Sequence, residues 1–350
     1  MIIYLYVIIT SIVVALFVDY LDKGSHKNFI FFIFCFFISS LIGLRYGAGH
    51  DYHNYELIYN HIDQIWLNVS MFSSPAFFFI NKVTHDVSFG FGFTSFLFAL
   101  LAIFFSLYRS VKSNTLALST VFIFLCGFVF FINNQIKQGI VASVFIFSIR
   151  YIEIRDFKRF FICIFTSSIM FHPSGVLLLV TYIIPNRKID YKLFFLVSVV
   201  LFLLVKNVDI YSYYVDTLKS LPFYGEKYYL RFERGIQYIG SGTTIIVNII
   251  IATFISKYYE SEYRRGLNIY LVGILLYIAF INSEFLERFF YYFIYMYFIF
   301  FPSIYSKKRK SMDWLVVLLV TAIILFNFVA EAEFGYGKHG ASQIEWRTTL

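Results

Sequence analysis

The sequence predicts an all-α, polytopic integral membrane protein with about 11 to 12 transmembrane helices, one broken helix hairpin and short outer-face helices at the membrane interface. Composition is the first observation behind this prediction. Of the 350 residues, 59% are hydrophobic and only 14% are charged, whereas soluble domains usually carry about a quarter charged residues. The second is that apolar runs of roughly 16 to 20 residues recur along the chain, each long enough to cross or nearly cross the ~30 Å hydrocarbon core.

The first run, Ile2 to Val18, follows no basic segment and precedes no small-residue cleavage site, so we expect a retained span and not a signal peptide. The predicted spans are 2–18, 28–44, 92–108, 115–132, 136–150, a longer 160–184, 192–206, 242–256, 267–282, 288–305 and 313–330. We therefore predict a single transmembrane domain, 1–330, with outer-face segments 45–91 and 207–241, followed by a C-terminal tail, 331–350.

Orientation follows from the basic loop "KKRK", Lys307 to Lys310, which the positive-inside rule places in the cytoplasm. The remaining predicted cytoplasmic loops then also carry an excess of Lys and Arg, and the outer segments are nearly balanced. Topology therefore accounts for the formal net charge of +8, and no nucleic-acid partner is expected.

The long segment 160–184 is flanked by basic residues at both ends, so both ends favour the cytoplasm. Pro173 and Gly175 in "FHPSG" disfavour a continuous helix. We therefore predict two short helices that form a hairpin with His172 at its tip. Broken backbone at membrane depth needs surrounding protein or a water-filled cavity, which makes the tip a candidate site.

Two amphipathic stretches, Tyr55 to Trp66 and Pro75 to Val87, predict helices lying at the outer interface. The second outer segment, 207–241, is rich in Tyr and carries Arg231 and Arg234. Interfacial anchoring competes with ligand contact as the explanation for these tyrosines.

"GLRYGAGHDYHNYE", Gly43 to Glu56, ends the second span with Arg45 and places Asp51 six residues later. An Arg at this depth needs an ionic partner or a bound anion. An Arg45–Asp51 ion pair that caps the helix and an anion site are both open, and they are compatible.

"NNQIKQ", Asn133 to Gln138, ends one predicted span and begins the next on the outer side of the membrane. If these residues are helical, Asn134 shares a face with Lys137 and Gln138, which follow it by three and four positions. Such a group suits hydroxyl-rich or phosphate ligands, and a hydrated helix cap is the alternative.

"ERFFYYF", Glu287 to Phe293, opens the penultimate span. Arg288, Tyr291 and Tyr292 fall at helical spacings of three and four, which predicts a basic and phenolic stripe. Snorkelling of Arg288 to the headgroups is the competing interpretation.

His172 lies in a predicted membrane interior, where it is either a hydrogen-bonded core residue or a catalyst. No carboxylate or further His stands near it in the sequence, which argues against a metal site. Cys35, Cys126 and Cys163 each lie alone in apolar runs and are expected to be core residues.

Five motifs in order, "GLRYGAGHDYHNYE", "SPAFFFINKV", "NQIKQGIVASVF", "FHPSG" and "ERFFYYF", resemble those of the EpsG-like members of the Wzy-type O-antigen polymerases. The resemblance runs over about residues 28 to 305. It departs at Lys137, where the family more often has Arg, so that the charge is kept and the planar guanidinium is lost.

The resemblance implies a metal-independent, cofactor-free glycosyltransferase facing the periplasm in the bacterial inner membrane. Its donor and acceptor would be oligosaccharides linked to undecaprenyl diphosphate, and a chain-length regulator is a further expected partner. Fixed cations would hold the diphosphate, for which the candidates are Arg45, Lys137 and Arg288.

A base is also expected near the attacking hydroxyl. His172 is favoured over Asp51, because imidazole titrates near neutral pH and Asp51 could be engaged by Arg45. Candidate substrate-binding residues are Tyr52, Tyr55, Asn134, Gln138, Arg231, Arg234, Tyr291 and Tyr292.

Three other classes of protein compete with this prediction. A lipid-linked oligosaccharide flippase or transporter usually has internal repeats and midplane sites, and the sequence shows no repeat. An O-antigen ligase would use much the same residues. A structural membrane protein without a site is the third alternative.

Overall fold

The computed structural model describes residues 2–21, 24–46, 51–68, 74–207, 243–259, 264–281, 284–305, 317–326 and 347–348. These residues are almost entirely helical, which confirms the predicted all-α polytopic membrane fold. The chain divides into two compact units, a first unit formed by Met1–Ile183 with Ile324–Leu350 and a second unit formed by Ile184–Ile323. The prediction of a single transmembrane domain, 1–330, with a separate tail stays a prediction.

The first unit carries most of the predicted site residues. Its elements are α1 (Ile2–Tyr20), α2 (Ser25–Gly43), β1 (Arg45–Tyr46), α3 (Tyr52–Asn60), α4 (Ile62–Asn68), α5 (Pro75–Asp86), α6 (Phe91–Lys112), α7 (Leu116–Leu125), α8 (Phe128–Asn134), α9 (Ile136–Glu153), α10 (Phe157–Met170), a 3₁₀ helix (Pro173–Ile183) and β2 (Arg347–Thr348).

The second unit is also helical in its described part. Its elements are α11 (Tyr191–Asn207), α12 (Thr243–Tyr258), α13 (Arg265–Phe280), α14 (Glu284–Ile294), a short 3₁₀ helix (Tyr295–Ile299) and α15 (Phe301–Tyr305). A last apolar helix, α16, spans Val317–Phe326.

Two stretches of the described chain are long and apolar enough to cross a membrane as single helices, His26–Gly43 and Phe91–Lys112. They belong to α2 and α6, which pack against each other, and α6 also packs against α9. A Cβ at Gly43 would lie only 2.3 Å from the Cα of Phe96, so glycine is needed for this close approach. Large apolar side chains on the outward faces of α1 and α2, among them Leu16 and Phe29, are exposed, as expected of helices that contact lipid.

The predicted span 115–132 is bent. Its two parts, α7 and α8, meet at an angle of 63°, and Gly127 between them has a φ of 75°, a conformation that glycine adopts without strain. The predicted span is therefore divided into two helices, a break that the sequence analysis did not predict. The sequence signal for the bend is a single glycine, which an apolar helix also tolerates.

The broken hairpin predicted over 160–184 is confirmed. Here α10 and the 3₁₀ helix pack side by side, and the ring of Tyr182 near the end of the 3₁₀ helix contacts Phe157 and Phe160 at the start of α10. The two arms are therefore antiparallel. Their lengths match at about 21 Å for α10 and about 22 Å for the tighter 3₁₀ helix, so both are shorter than the ~30 Å hydrocarbon core.

The two amphipathic stretches of the first outer segment form α3, α4 and α5. The packing of α3 and α5 is fixed by buried hydrogen bonds at Thr84. The Tyr59 hydroxyl donates to the Thr84 carbonyl at 3.3 Å, and the Thr84 and Thr94 hydroxyls are 2.6 Å apart. Burial also raises the pKa of Tyr59. These contacts join α3, α5 and α6 into one layer.

Strands β1 and β2 are the exception to the helical fold in the described residues. They pair antiparallel, with Arg45 opposite Thr348 and Tyr46 opposite Arg347. The backbone that carries Arg45 is thus hydrogen-bonded to the C-terminal tail.

Candidate functional site

His172 lies in the turn between the two arms of the hairpin. The chain leaves α10 at Met170, and the amide of Gly175 donates to the His172 carbonyl at 3.1 Å to close the turn. The imidazole is half-buried, and its Nδ1 lies 2.6 Å from the hydroxyl oxygen of Ser174. The predicted hairpin tip therefore holds its histidine in a defined position.

Gly175 holds this turn against the neighbouring helix. A Cβ at Gly175 would lie 2.5 Å from Val141 Cγ1 of α9 and 2.6 Å from the Ser168 hydroxyl of α10. No larger residue fits without a shift of these atoms. Lys137 is one helical turn before Val141 in α9, so it lies on the same face of α9 as the residue that meets the turn.

The ammonium of Lys137 is surrounded by aromatic rings. Its Nζ lies 5.1 Å from the ring centroid of Phe77 and 5.9 Å from that of Phe78, both on α5. Among the described residues no carboxylate pairs with it. An aliphatic stem packed against rings with no fixed counter-charge leaves the cation able to bind an anion.

Phe77 links Lys137 to the first outer segment. The Phe77 ring is fully buried, stacks on Phe98 and makes an edge contact with Tyr55 at 5.6 Å. Tyr55 and Lys137 were both predicted as site residues from motifs more than 80 positions apart, and the fold brings them to the same ring. Tyr55 is half-buried, so part of its ring is accessible.

Tyr52 has a different environment. It is 3% exposed, and its ring packs edge-on against Phe91 at 5.2 Å. In this structure Tyr52 helps to attach α3 to α6 and presents little surface to a sugar.

The amide cluster of "NNQIKQ" is buried, with Asn133, Asn134 and Gln138 all 6% exposed or less. The helix is not continuous through it, because α8 ends at Asn134 and Gln135 has φ −119° and ψ 63° before α9 begins. The condition for the predicted shared face is therefore not met. Asn134 reaches this region from α8, whereas Lys137 and Gln138 reach it from α9.

Gln135 was not among the predicted site residues. Its side-chain carbonyl oxygen is buried and accepts no hydrogen bond from the described residues. A buried unsatisfied acceptor is uncommon and calls for a donor. The sequence offered one signal for it, namely its position in the amide-rich motif.

The structure describes Arg45 by its backbone only, whereas it describes both the backbone and the side chain of Asp51. Arg45 lies in β1, and its side chain is outside the described residues. Asp51 stands at the N-cap position of α3, and its carboxylate accepts from the Asn54 amide at 3.4 Å. The predicted Arg45–Asp51 ion pair stays a prediction.

The remaining predicted residues belong to the second unit. Tyr291 and Tyr292 lie on α14 and are buried, and a Cβ at Gly273 would lie 2.2 Å from Phe293 Cβ, so α13 and α14 are in close contact. Arg288 lies on α14 with its side chain outside the described residues. Arg231 and Arg234 also lie outside the described residues.

A second charged cluster lies at the start of α4 and the end of α5. The Lys82 ammonium is 3.0 Å from Asp63 and also bonds Asp86, and these bonds raise the pKa of Lys82, with the Asp86 bond as the largest cause. Atoms of Asp63, His85 and Asp86 that could bind a metal lie within 4.8 Å of one another. Lys82 already supplies the positive charge between the two carboxylates, so this cluster is a salt bridge.

Comparison with known proteins identifies the family of this chain. The sequence profile of the EpsG family matches residues 28–338, which is most of the chain. No curated protein and no solved structure matches the sequence.

Proposed function

Since this chain belongs to the EpsG family, a family of the glycosyltransferase type, we propose that it polymerises oligosaccharide repeat units carried on polyprenyl diphosphate. The reaction takes place on the periplasmic face of the bacterial inner membrane and needs no metal. The product is O-antigen or a related surface polysaccharide.

One observation carries this proposal, namely that Lys137 has no carboxylate partner among the described residues and lies on the face of α9 that meets the His172 turn. A diphosphate leaving group needs a fixed cation, and a histidine near an acceptor hydroxyl supplies a base. The contrast with Lys82, which two carboxylates neutralise, supports an anion-binding role for Lys137.

In the proposed reaction, an acceptor hydroxyl attacks the anomeric carbon of the growing glycan. A new glycosidic C–O bond forms as the bond from that carbon to the diphosphate oxygen breaks. The electron pair of the broken bond remains on the diphosphate, where Lys137 and Arg45 balance the charge. The hydroxyl proton passes to His172, with Asp51 as the alternative base.

The aromatic and amide residues have a supporting role in this proposal. Tyr55, in contact with Phe77, offers a ring for a sugar. The unsatisfied carbonyl oxygen of Gln135 accepts a hydrogen bond from a sugar hydroxyl.

The test uses a strain that lacks the chromosomal copy, complemented with wild type or with Arg45→Ala, His172→Ala or Arg288→Ala. Surface glycan is then resolved by length. A polymerase defect leaves a single capped repeat unit, whereas a flippase or ligase defect removes all glycan. Loss of all glycan in the deletion strain, or unchanged ladders in all three variants at normal protein levels, would contradict the proposal.

A further inference from the structure

We propose that Ser174 is a positioning residue that holds His172 in the tautomer and orientation required of a base. This inference rests on the proposed function. It assigns to Ser174 a role that neither the family match nor the sequence motifs indicate.

The contact that carries the inference is short and local. Nδ1 of His172 lies 2.6 Å from Oγ of Ser174, two residues further along the chain. Both side chains are half-buried at the start of the 3₁₀ helix, next to α9. A hydrogen bond of this length fixes the plane of the imidazole ring as well as its position.

The bond also determines which ring nitrogen carries the proton. A neutral imidazole has one N–H and one lone pair. When Nδ1–H donates to the Ser174 oxygen, the lone pair is on Nε2, the nitrogen that then accepts the proton of the acceptor hydroxyl. The opposite tautomer would turn Nε2 into a donor and remove the base.

The backbone around the pair is fixed, so that the bond can select one geometry. Pro173 restricts φ between the two residues, and Gly175 is wedged against Val141 and Ser168. A hydroxyl placed on such a turn orients its partner more strongly than one on a mobile loop.

The helices α9 and α10, which pack against the 3₁₀ helix, carry charged residues of their own. Lys137 lies on the face of α9 that meets the turn. The other charged residues of α9 and α10, namely Arg150, Glu153, Lys158 and Arg159, lie at the opposite ends of those helices. We assign the Ser174 oxygen, 2.6 Å from Nδ1, as the neutral acceptor of the Nδ1–H bond.

The experiment measures polymerisation by the full-length protein in lipid nanodiscs between about pH 5 and 9, on lipid-linked oligosaccharide extracted from the deletion strain. The variants are Ser174→Ala, Ser174→Thr and His172→Ala. Ser167→Ala is the matched control, since its hydroxyl lies in the same hairpin, where it is buried and donates to the Ile164 carbonyl at 3.1 Å. Thermal unfolding of each variant reports on folding.

We expect Ser174→Ala to lower kcat roughly tenfold, by loss of one hydrogen bond. The acid limb of its pH profile should move to lower pH, because the imidazolium loses an acceptor. Ser174→Thr should restore both values, and Ser167→Ala should match wild type.

The outcomes separate the two proposals. If His172→Ala is inactive and Ser174→Ala matches wild type, the positioning role is overturned and the proposed function stands. The positioning role is also overturned if Ser174→Ala is slow with an unmoved pH profile and Ser174→Thr gives no rescue, since that pattern is structural. If wild type does not lengthen the extracted glycan, the proposed polymerase function is contradicted. If His172→Ala is fully active, the assignment of His172 as the base is contradicted.

Discussion

Lys82 and Lys137 are both cations in the first unit, and the structure gives them opposite environments. The ammonium of Lys82 is bonded by Asp63 and Asp86, which joins α4 to α5. The ammonium of Lys137 lies over Phe77 and Phe78, and no carboxylate among the described residues pairs with it. A cation that is already neutralised stabilises the fold, whereas one without a fixed partner can bind a ligand.

The largest effect is expected from Lys137→Met, which keeps the packing on Phe77 and removes the charge. We expect polymer synthesis to fall by roughly 100-fold or more, as for removal of a transition-state charge partner. Lys137→Arg should retain most activity, since it keeps the charge and stacks on aromatic rings. Glycan ladders in the complemented deletion strain measure this, with Lys82→Met as the control. Equal losses in Lys82→Met and Lys137→Met would remove the distinction between the two lysines.

The next effect concerns the turn beside Lys137. Gly175→Ala would force Val141 and Ser168 apart, and we expect an overpacking cost of about 1–3 kcal/mol together with a loss of polymerisation of about tenfold or more. Gly92→Ala is the matched control, because a Cβ there meets nothing within 4 Å. Thermal unfolding and ladder formation are measured on both. A Gly175→Ala protein with wild-type stability and activity would show that the turn is not held as described.

A smaller effect is expected when the ring under Lys137 is changed. Phe77→Leu removes the cation–π contact and part of a fully buried side chain, so we expect a loss of about 1–2 kcal/mol of stability and several-fold lower activity. Phe79→Leu, on the same helix and 59% exposed, should change neither. If the two variants behave alike in unfolding and in activity, the contact between Phe77 and Lys137 has no role.

The smallest effect is the pH dependence of the Lys82 bridge. Its bonds to Asp86 and Asp63 raise the pKa of Lys82 above the ordinary value of 10.5. The folded-state pKa of Lys82 therefore exceeds its unfolded-state pKa. The contribution of the bridge to the free energy of unfolding is complete below about pH 10.5 and is lost as pH rises through the folded-state pKa. The stability difference between wild type and Lys82→Met should shrink only above that range in thermal unfolding scans. A difference that grows with alkaline pH would have the wrong sign.

Local signals in the sequence predicted much of the fold. Pro173 and the basic residues on both sides of 160–184 predicted the hairpin, because a proline and the charges at both ends of a segment act on the few residues around them. The bend at Gly127 was missed, since glycine alone does not distinguish a bent apolar helix from a straight one. The break at Gln135 was missed for a similar reason, because amides occur both in helices and at their ends.

The candidate site was predicted only in part. The motifs identified Lys137 and His172, but the spacing argument for Asn134 assumed a helix that the chain does not form. Gln135 and Ser174 were missed, because burial of one and the hydrogen bond of the other depend on how α8, α9 and the 3₁₀ helix pack.

The sequence by itself determined that this protein is helical and lies in a membrane, and that its polar motifs stand at span ends, because hydropathy and helix-breaking residues act locally. Only the tertiary structure decided which of those motifs meet. Phe77 and Lys137 are 60 positions apart, and close packing of α5 against the region of α9 and α10 gives the lysine aromatic neighbours instead of a carboxylate. Contacts between distant segments follow from how side-chain volumes fit together, which no local pattern specifies.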